Sequence, residues 1–332
     1  MVYFFEMRYF ILPTAIAVVC IVGIYVTLGF LAAVTTLLLI VLEVTLSFDN
    51  AVVNARVLEK MSLVWQKRFL TWGMLIAVFG TRVFLPIIIV AASVWLSPLY
   101  IAQLALFSPL EYAHHLEGAK HAINAFGATF LLMVSLKYFF NGAKEVHWMS
   151  IIEKRLSKWG RIEAIEIGIS LLILFVVSFL LPDEQGAILS AGIVGIILFV
   201  FMQGIANTFS EGVAKTATAG GLTLFLYLNV LDSAFSLDSV VGAFALTTSI
   251  PIIAIGLGIG AYFVRSLTIY FVRQKTLHSL VYLEHGAHWA ILALALSMFT
   301  GLLFEIPEII TGGIGLVFVV AAYWSSVKLK KV

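Results

Sequence analysis

The sequence predicts an all-α polytopic membrane protein of about ten transmembrane helices, arranged as two inverted-topology repeats of about five helices. Three observations lead there: an apolar composition, the placement of the cations, and a polar motif that occurs twice. Of 332 residues, 62% are hydrophobic and 11% charged, with a mean hydropathy of +1.08; a soluble domain carries about 25% charged residues. The formal net charge of +2 gives no reason to expect nucleic acid. Cys20 is the single cysteine and lies in an apolar run, so neither a disulfide framework nor a thiolate metal site is expected.

Apolar stretches near 20 residues long place spans at about 9–28, 30–55, 69–95, 122–141, 163–181, 187–207, 219–247, 250–272, 284–303 and 308–326. The second and seventh are long, which permits tilt, a kink or an unwound segment. Arg8 precedes the first, but its apolar core exceeds a signal-peptide h-region and lacks a clear cleavage site, so it is read as retained.

Cations near span ends are held in the cytoplasm. Counting alternate connections, one side carries Arg8, the Arg56 to Arg68 group, the Lys144 to Arg161 group, Lys215, Arg273 and Lys275, and the terminal lysines from Lys328. The other side carries Lys120 alone. Ten spans with both termini cytoplasmic explain this asymmetry, and a bacterial inner membrane is the expected location. Lys137 reads as a residue snorkelling from the inner end of its span. The longest cytoplasmic connection, Gly142 to Ile162, is basic and expected to form a short surface helix.

The motif reads Glu43-Val-Thr-Leu-Ser47-Phe-Asp49-Asn50 in its first copy and Asp232-Ser-Ala-Phe-Ser236-Leu-Asp238-Ser239 in its second. Central acids in a span cost roughly 2.5 to 3.5 kcal/mol each on insertion scales, so four of them need a compensating partner, and a cation is the simplest. A second echo pairs Glu117 with His121 and Glu284 with His288, and Arg82 and Arg265 occupy the third and eighth spans. Five spans separate the equivalents. An odd offset inserts the second copy upside down, which puts the first repeat at 1–183 and the inverted one at 184–332, with substrate expected near the midplane.

On a regular helix Glu43, Ser47 and Asn50 share one face, as do Asp232, Ser236 and Ser239. Asp49 and Asp238 point roughly 120° away unless the helix breaks. Straight helices leave Glu43 and Asp232 central with one Asp toward each mouth; broken helices bring all four acids together with freed carbonyls. Carboxylate, amide and hydroxyl oxygens suit hard divalent ions such as Mg²⁺, Ca²⁺ and Mn²⁺. The plainer account of the serines is helix–helix hydrogen bonding.

With these residues in view, the two copies resemble the paired motifs of the TerC family of integral membrane proteins. That family includes proteins tied to tellurium resistance and Alx-like manganese exporters, and it belongs with the LysE-type exporters. The resemblance implies manganese efflux, with Glu43, Asp49, Asn50, Asp232, Asp238 and Ser239 as the matching metal positions. Val240-Val241 stands where the family often has a Pro-Ala pair, and the Glu/His pairs lie outside its pattern, as in a divergent branch.

Each Glu/His pair, spaced i and i+4, falls on one helix face and would suit metal capture or proton transfer at a mouth. Equally, Glu117 and Glu284 would favour helix N-termini and the histidines would satisfy carbonyls. Arg82 and Arg265 would neutralise a carboxylate when no cation is bound, or else snorkel. The glycine string Gly256-Leu-Gly258-Ile-Gly260 follows no strand, so close helix packing is its expected role. No Walker-type loop is present, so energy would come from an ion gradient.

The expectation is a secondary-active exporter moving a divalent cation, Mn²⁺ first, outward in exchange for protons, with no resident cofactor and no catalytic residues. Its partners are the metal substrate and the bilayer; the oligomeric state is left open. Two other classes remain: a membrane partner that metallates or assembles exported proteins, and a membrane-embedded metalloenzyme, against which stands the lack of any HExxH-type arrangement.

Overall fold

The computed structural model describes residues 8–73, 76, 80, 84–162, 164–210, 217–247, 249–274, 280–304, 306 and 308–329. Among them every regular element is helical. In chain order these are α1 (Arg8–Leu28), α2 (Phe30–Leu46), α3 (Phe48–Glu59), α4 (Leu63–Arg68), α5 (Leu85–Ser93), α6 (Pro98–Phe107), α7 (Pro109–Gly118), α8 (Lys120–Phe139), α9 (Ser150–Trp159), α10 (Ile165–Phe179), α11 (Gln185–Ser210), α12 (Ala217–Leu246), α13 (Ile250–Gln274), α14 (Leu283–Gly301) and α15 (Glu308–Leu329). A π-helical turn, Phe69–Gly73, extends α4, and a 3-10 turn, Pro182–Glu184, precedes α11.

Among the described residues four stretches are long and apolar enough to cross a membrane: Tyr9–Leu28, Lys120–Phe139, Pro182–Gly204 and Ile250–Arg273. The bent pair of α2 and α3 makes a fifth when counted as one span. Their outer faces suit lipid: Val26 is 75% exposed and Leu31 78%, and long apolar faces of this kind are rare in water. These helices are compatible with an integral membrane protein.

Two compact units divide the chain, and neither is continuous in sequence. The first joins residues 1–120 to 224–275, and the second joins 121–223 to 276–332. Each unit therefore draws on both sides of the boundary expected at residue 183.

In the first unit α13 packs along α2 and α3 and against α1. Glycine permits the approach. A Cβ at Gly256 would lie 2.6 Å from Leu39 Cβ, and one at Gly260 would lie 2.5 Å from Glu43 Cβ, so these two glycines serve close helix packing. Leu39, Val240, Ala243, Ile252, Ile253 and Leu257 form the adjoining core.

The long second span is broken. Ser47 takes φ −101° and ψ 14°, and α2 meets α3 at 50°. By contrast α12, which carries the second motif copy, runs unbroken through Asp232 and Asp238. Much of the expected third span lies outside the described residues, Arg82 included.

The second unit is built on α8, which is apolar around most of its circumference and therefore central. Phe130, Leu131, Leu132 and Met133 are all buried there. A Cβ at Gly195 would lie 2.4 Å from Thr129 Oγ1, which brings α11 hard against α8, and Thr129 Oγ1 donates to the Gly192 carbonyl at 2.9 Å. α14 packs along α15, with Gly286 at the crossing. The basic connection does hold a short helix, α9, but that helix exposes Ile151 and buries Glu153.

Candidate functional site

Within the first unit the two motif copies meet at Asp232. Asn50 Nδ2 donates to Asp232 Oδ1, and Asn54 Nδ2 donates to the same oxygen at 3.2 Å. Asn50 and Asn54 lie one turn apart on α3 and are 1% and 4% exposed. A carboxylate only accepts, so the amide nitrogens must face it and the amide oxygens must face away. Both Oδ1 atoms are buried and have no hydrogen-bond partner among the described residues.

A cavity opens beside these groups, lined by Asn50, Asn54, Asp232, Arg265 and Thr268 together with apolar side chains. It has room for roughly two or three water molecules. Arg265, from α13, donates its Nε–H to the Leu70 carbonyl and lies 5.5 Å from the centre of the Tyr262 ring. Thr268 gives its hydroxyl proton to the Val264 carbonyl at 3.0 Å, so what it offers other groups is a lone pair. No His, Cys or Met lines the cavity among the described residues.

The remaining motif residues have separate places. Glu43 is fully buried and accepts a 2.8 Å hydrogen bond from Ser47 Oγ, and Gly260 leaves space for its aliphatic stem. Asp49 is buried in the first turn of α3, where unsatisfied N–H groups and the positive helix end favour an acid. The break at Ser47 creates that helix start. Ser236 Oγ donates to the Asp232 carbonyl at 2.7 Å and Ser239 Oγ to the Ser236 carbonyl at 3.0 Å, so both hydroxyl protons are committed to their own helix. Asp238 lies on α12, with its side chain outside the described residues. Among the described residues no three His, Cys, Asp or Glu groups form a ready metal cage.

The Glu117/His121 pair needs a correction. Glu117 lies in the last turn of α7 and is exposed, whereas His121 belongs to α8, beyond the turn at Ala119, so the two are not on one helix. The sequence Glu-Gly-Ala carries the helix end that the i, i+4 reading ignored. Glu284 and His288 do share α14. Glu284 sits in its first turn, and His288 Nδ1–H donates to the Glu284 carbonyl at 2.8 Å while its ring stacks 3.6 Å from that of Tyr138.

Two residues were missed by sequence reasoning. Asn54 extends the polar stripe of Glu43, Ser47 and Asn50 by one further turn, a signal that was present. Glu153 gave none, because it sits among lysines and arginines and reads as part of a solvated face. In the structure its Oε2 receives Lys144 Nζ at 3.1 Å and His285 Nδ1 at 2.8 Å, with His147 Nδ1 at 3.7 Å. Its Oε1 receives Trp289 Nε1 at 3.0 Å and the Met149 backbone N–H at 3.3 Å. Burial pushes the Glu153 carboxyl up, but hydrogen bonds from His285 and Trp289 and the charge of Lys144 outweigh it and hold the group well below the usual carboxylate range. Burial lowers Lys144, while Glu153 and Glu284 pull it back up.

No curated protein and no solved structure matches the chain. The family model described as "Protein of unknown function (DUF475)" matches residues 48–332, a range that takes in both asparagines, Asp232 and the Glu153 cluster, and the chain belongs to that family.

Proposed function

We propose that this protein is a secondary-active exporter of divalent metal cations, with Mn²⁺ as the foremost substrate, moving them from the cytoplasm outward in exchange for protons. One observation carries the reading: Asp232, drawn from the second motif copy, is met by Asn50 from the first, beside a cavity that Asn54, Arg265 and Thr268 also line, inside an otherwise apolar helical unit. A partly buried carboxylate among apolar helices is costly unless positive charge offsets it. Its surroundings are oxygen-rich and free of His, Cys and Met among the described residues, which favours a hard ion over Zn²⁺ or Cu⁺.

The ten-span topology with cytoplasmic termini and two inverted repeats belongs to the same proposal. Each compact unit combines segments from both halves of the chain, as interlocked repeats would. In this reading Glu43 and Asp232 form the central cation site, Asp49 and Asp238 complete it or gate it, and Asn50 and Ser239 supply neutral oxygen ligands. Arg265, in the same cavity as Asp232, balances its charge between loads. The TerC-like motif supports manganese over other hard ions.

The test is Mn²⁺ flux into proteoliposomes under an imposed proton gradient, with Asp232→Asn beside the wild type and Ca²⁺ and Zn²⁺ as competitors. Gradient-dependent flux that the substitution abolishes is the expected result. Flux unchanged in well-folded Asp232→Asn, or no flux and no Mn²⁺ binding by the wild type, overturns the reading.

A further inference from the structure

Asn54 lies outside both motif copies, and its arrangement is unusual for a residue that merely fills a helix contact. Its amide nitrogen is used, on Asp232, while its amide oxygen is buried with no hydrogen-bond partner among the described residues. Asn50 repeats the same pattern one turn earlier. Buried polar atoms are normally satisfied, and each exception calls for a reason. Two exceptions of one kind, on two carboxamides that share one carboxylate oxygen and line one cavity, point to a common ligand.

We infer that Asn54 is a ligand of the transported cation, and that it and Asn50 act as a reversible pair: each presents Nδ2 to Asp232 in one orientation and Oδ1 to a cation held on Asp232 in the other. This rests on the exporter reading. A carboxamide carries two donors on nitrogen and an acceptor oxygen at nearly the same radius. Turning it by half a revolution about its last bond therefore swaps a hydrogen-bond donor for a metal ligand without moving α3. A cation on Asp232 would be repelled by amide N–H groups aimed at the same oxygen, and attracted by the amide oxygens.

The resulting donor set is one carboxylate, two amide oxygens and the lone pairs of Thr268, with water completing the shell. That set is neutral apart from Asp232, and Arg265 lines the same cavity. It selects a hard divalent ion through oxygen ligands while keeping the net charge low, so the ion is released as well as captured.

The substitution Asn54→Asp separates this role from a purely positioning one, because it deletes the donor and keeps an acceptor. Full-length protein in detergent micelles is titrated with MnCl₂, and free Mn²⁺ is followed by electron paramagnetic resonance. The wild type binds; Asn54→Ala or, should that variant fold poorly, Asn54→Ser weakens binding by about tenfold or more. Asn54→Asp binds at least as tightly as wild type, and its thermal unfolding temperature, lowered by two facing carboxylates, recovers on adding Mn²⁺. Loss of binding in Asn54→Asp to the level of Asn54→Ala, with the wild type still binding, makes Asn54 only a hydrogen-bond donor to Asp232 and overturns the inference. Wild-type affinity in Asn54→Ala or Asn54→Ser overturns it too. Failure of the wild type to bind Mn²⁺ removes the exporter reading itself, a distinct result.

Discussion

Asp232 in the first unit and Glu153 in the second are both carboxylates on helices of an apolar protein, yet their surroundings differ in kind. Both oxygens of Glu153 are saturated by Lys144, His285, Trp289 and a backbone N–H, and Lys144 also lies 4.2 Å from the centre of the Tyr138 ring. Asp232 instead takes two carboxamides on one oxygen, and the far ends of those amides have no hydrogen-bond partner among the described residues. A buried carboxylate with both oxygens saturated rigidifies a fold, whereas amide oxygens left without partners beside a cavity are arranged for something that comes and goes. Glu153 therefore acts as a lock between α9 and the start of α14, and Asp232 as a site.

The largest effect that would break this contrast is on stability. Glu153→Ala removes the acceptor of Lys144, His285, Trp289 and the Met149 backbone N–H and is expected to lower stability by about 3–5 kcal/mol, read as thermal unfolding in micelles. Asp232→Asn is expected to leave unfolding near that of wild type while removing flux; the reverse pattern would exchange the two roles. The Glu153 lock also has a pH signature. Its folded carboxyl titrates below the ordinary value of 4.5, so its stabilisation is complete above that value and is lost as pH falls toward the folded pKa. In Glu153→Gln this acid-dependent loss should vanish from the unfolding curve.

A smaller effect sharpens the description of packing around the site. Gly260→Ala places a methyl 2.5 Å from Glu43 Cβ and is expected to cost about 1–3 kcal/mol through overpacking. Gly313→Ala, which meets nothing within 4 Å, serves as the control, and equal unfolding temperatures for the two variants would contradict the close approach of α13 to α2. The smallest effect belongs to a pair at the edge of the second unit. Lys137 Nζ lies 2.9 Å from Glu166 Oε1, but the lysine side chain is 49% exposed. Lys137→Met should change stability by less than about 1 kcal/mol, measured in the same assay.

Local chemistry alone was enough to foresee several particulars. Gly256 and Gly260 read as packing glycines, and they are; the long second span read as able to kink, and it does so at Ser47. Cys20 is free. Lys137, expected to snorkel from the inner end of its span, pairs with Glu166, a partner 29 positions away that no local pattern announces. The i, i+4 spacing of Glu117 and His121 misled because periodicity has no meaning across the helix end at Ala119. Asn54 is legible in sequence as one further turn of the polar stripe, just beyond the repeated motif.

The sequence by itself determined the helical class, the apolar setting and the duplicated acids, because these depend on composition and on spacings shorter than two helical turns. Only the tertiary structure decided which polar groups touch. Asn50 and Asp232 are 182 positions apart, and Glu153 and His285 are 132 apart. Whether a carboxylate becomes a saturated lock or sits beside unpartnered amide oxygens depends on the groups that distant helices bring to it, and glycines that let those helices approach give no hint, in sequence, of the partner they admit.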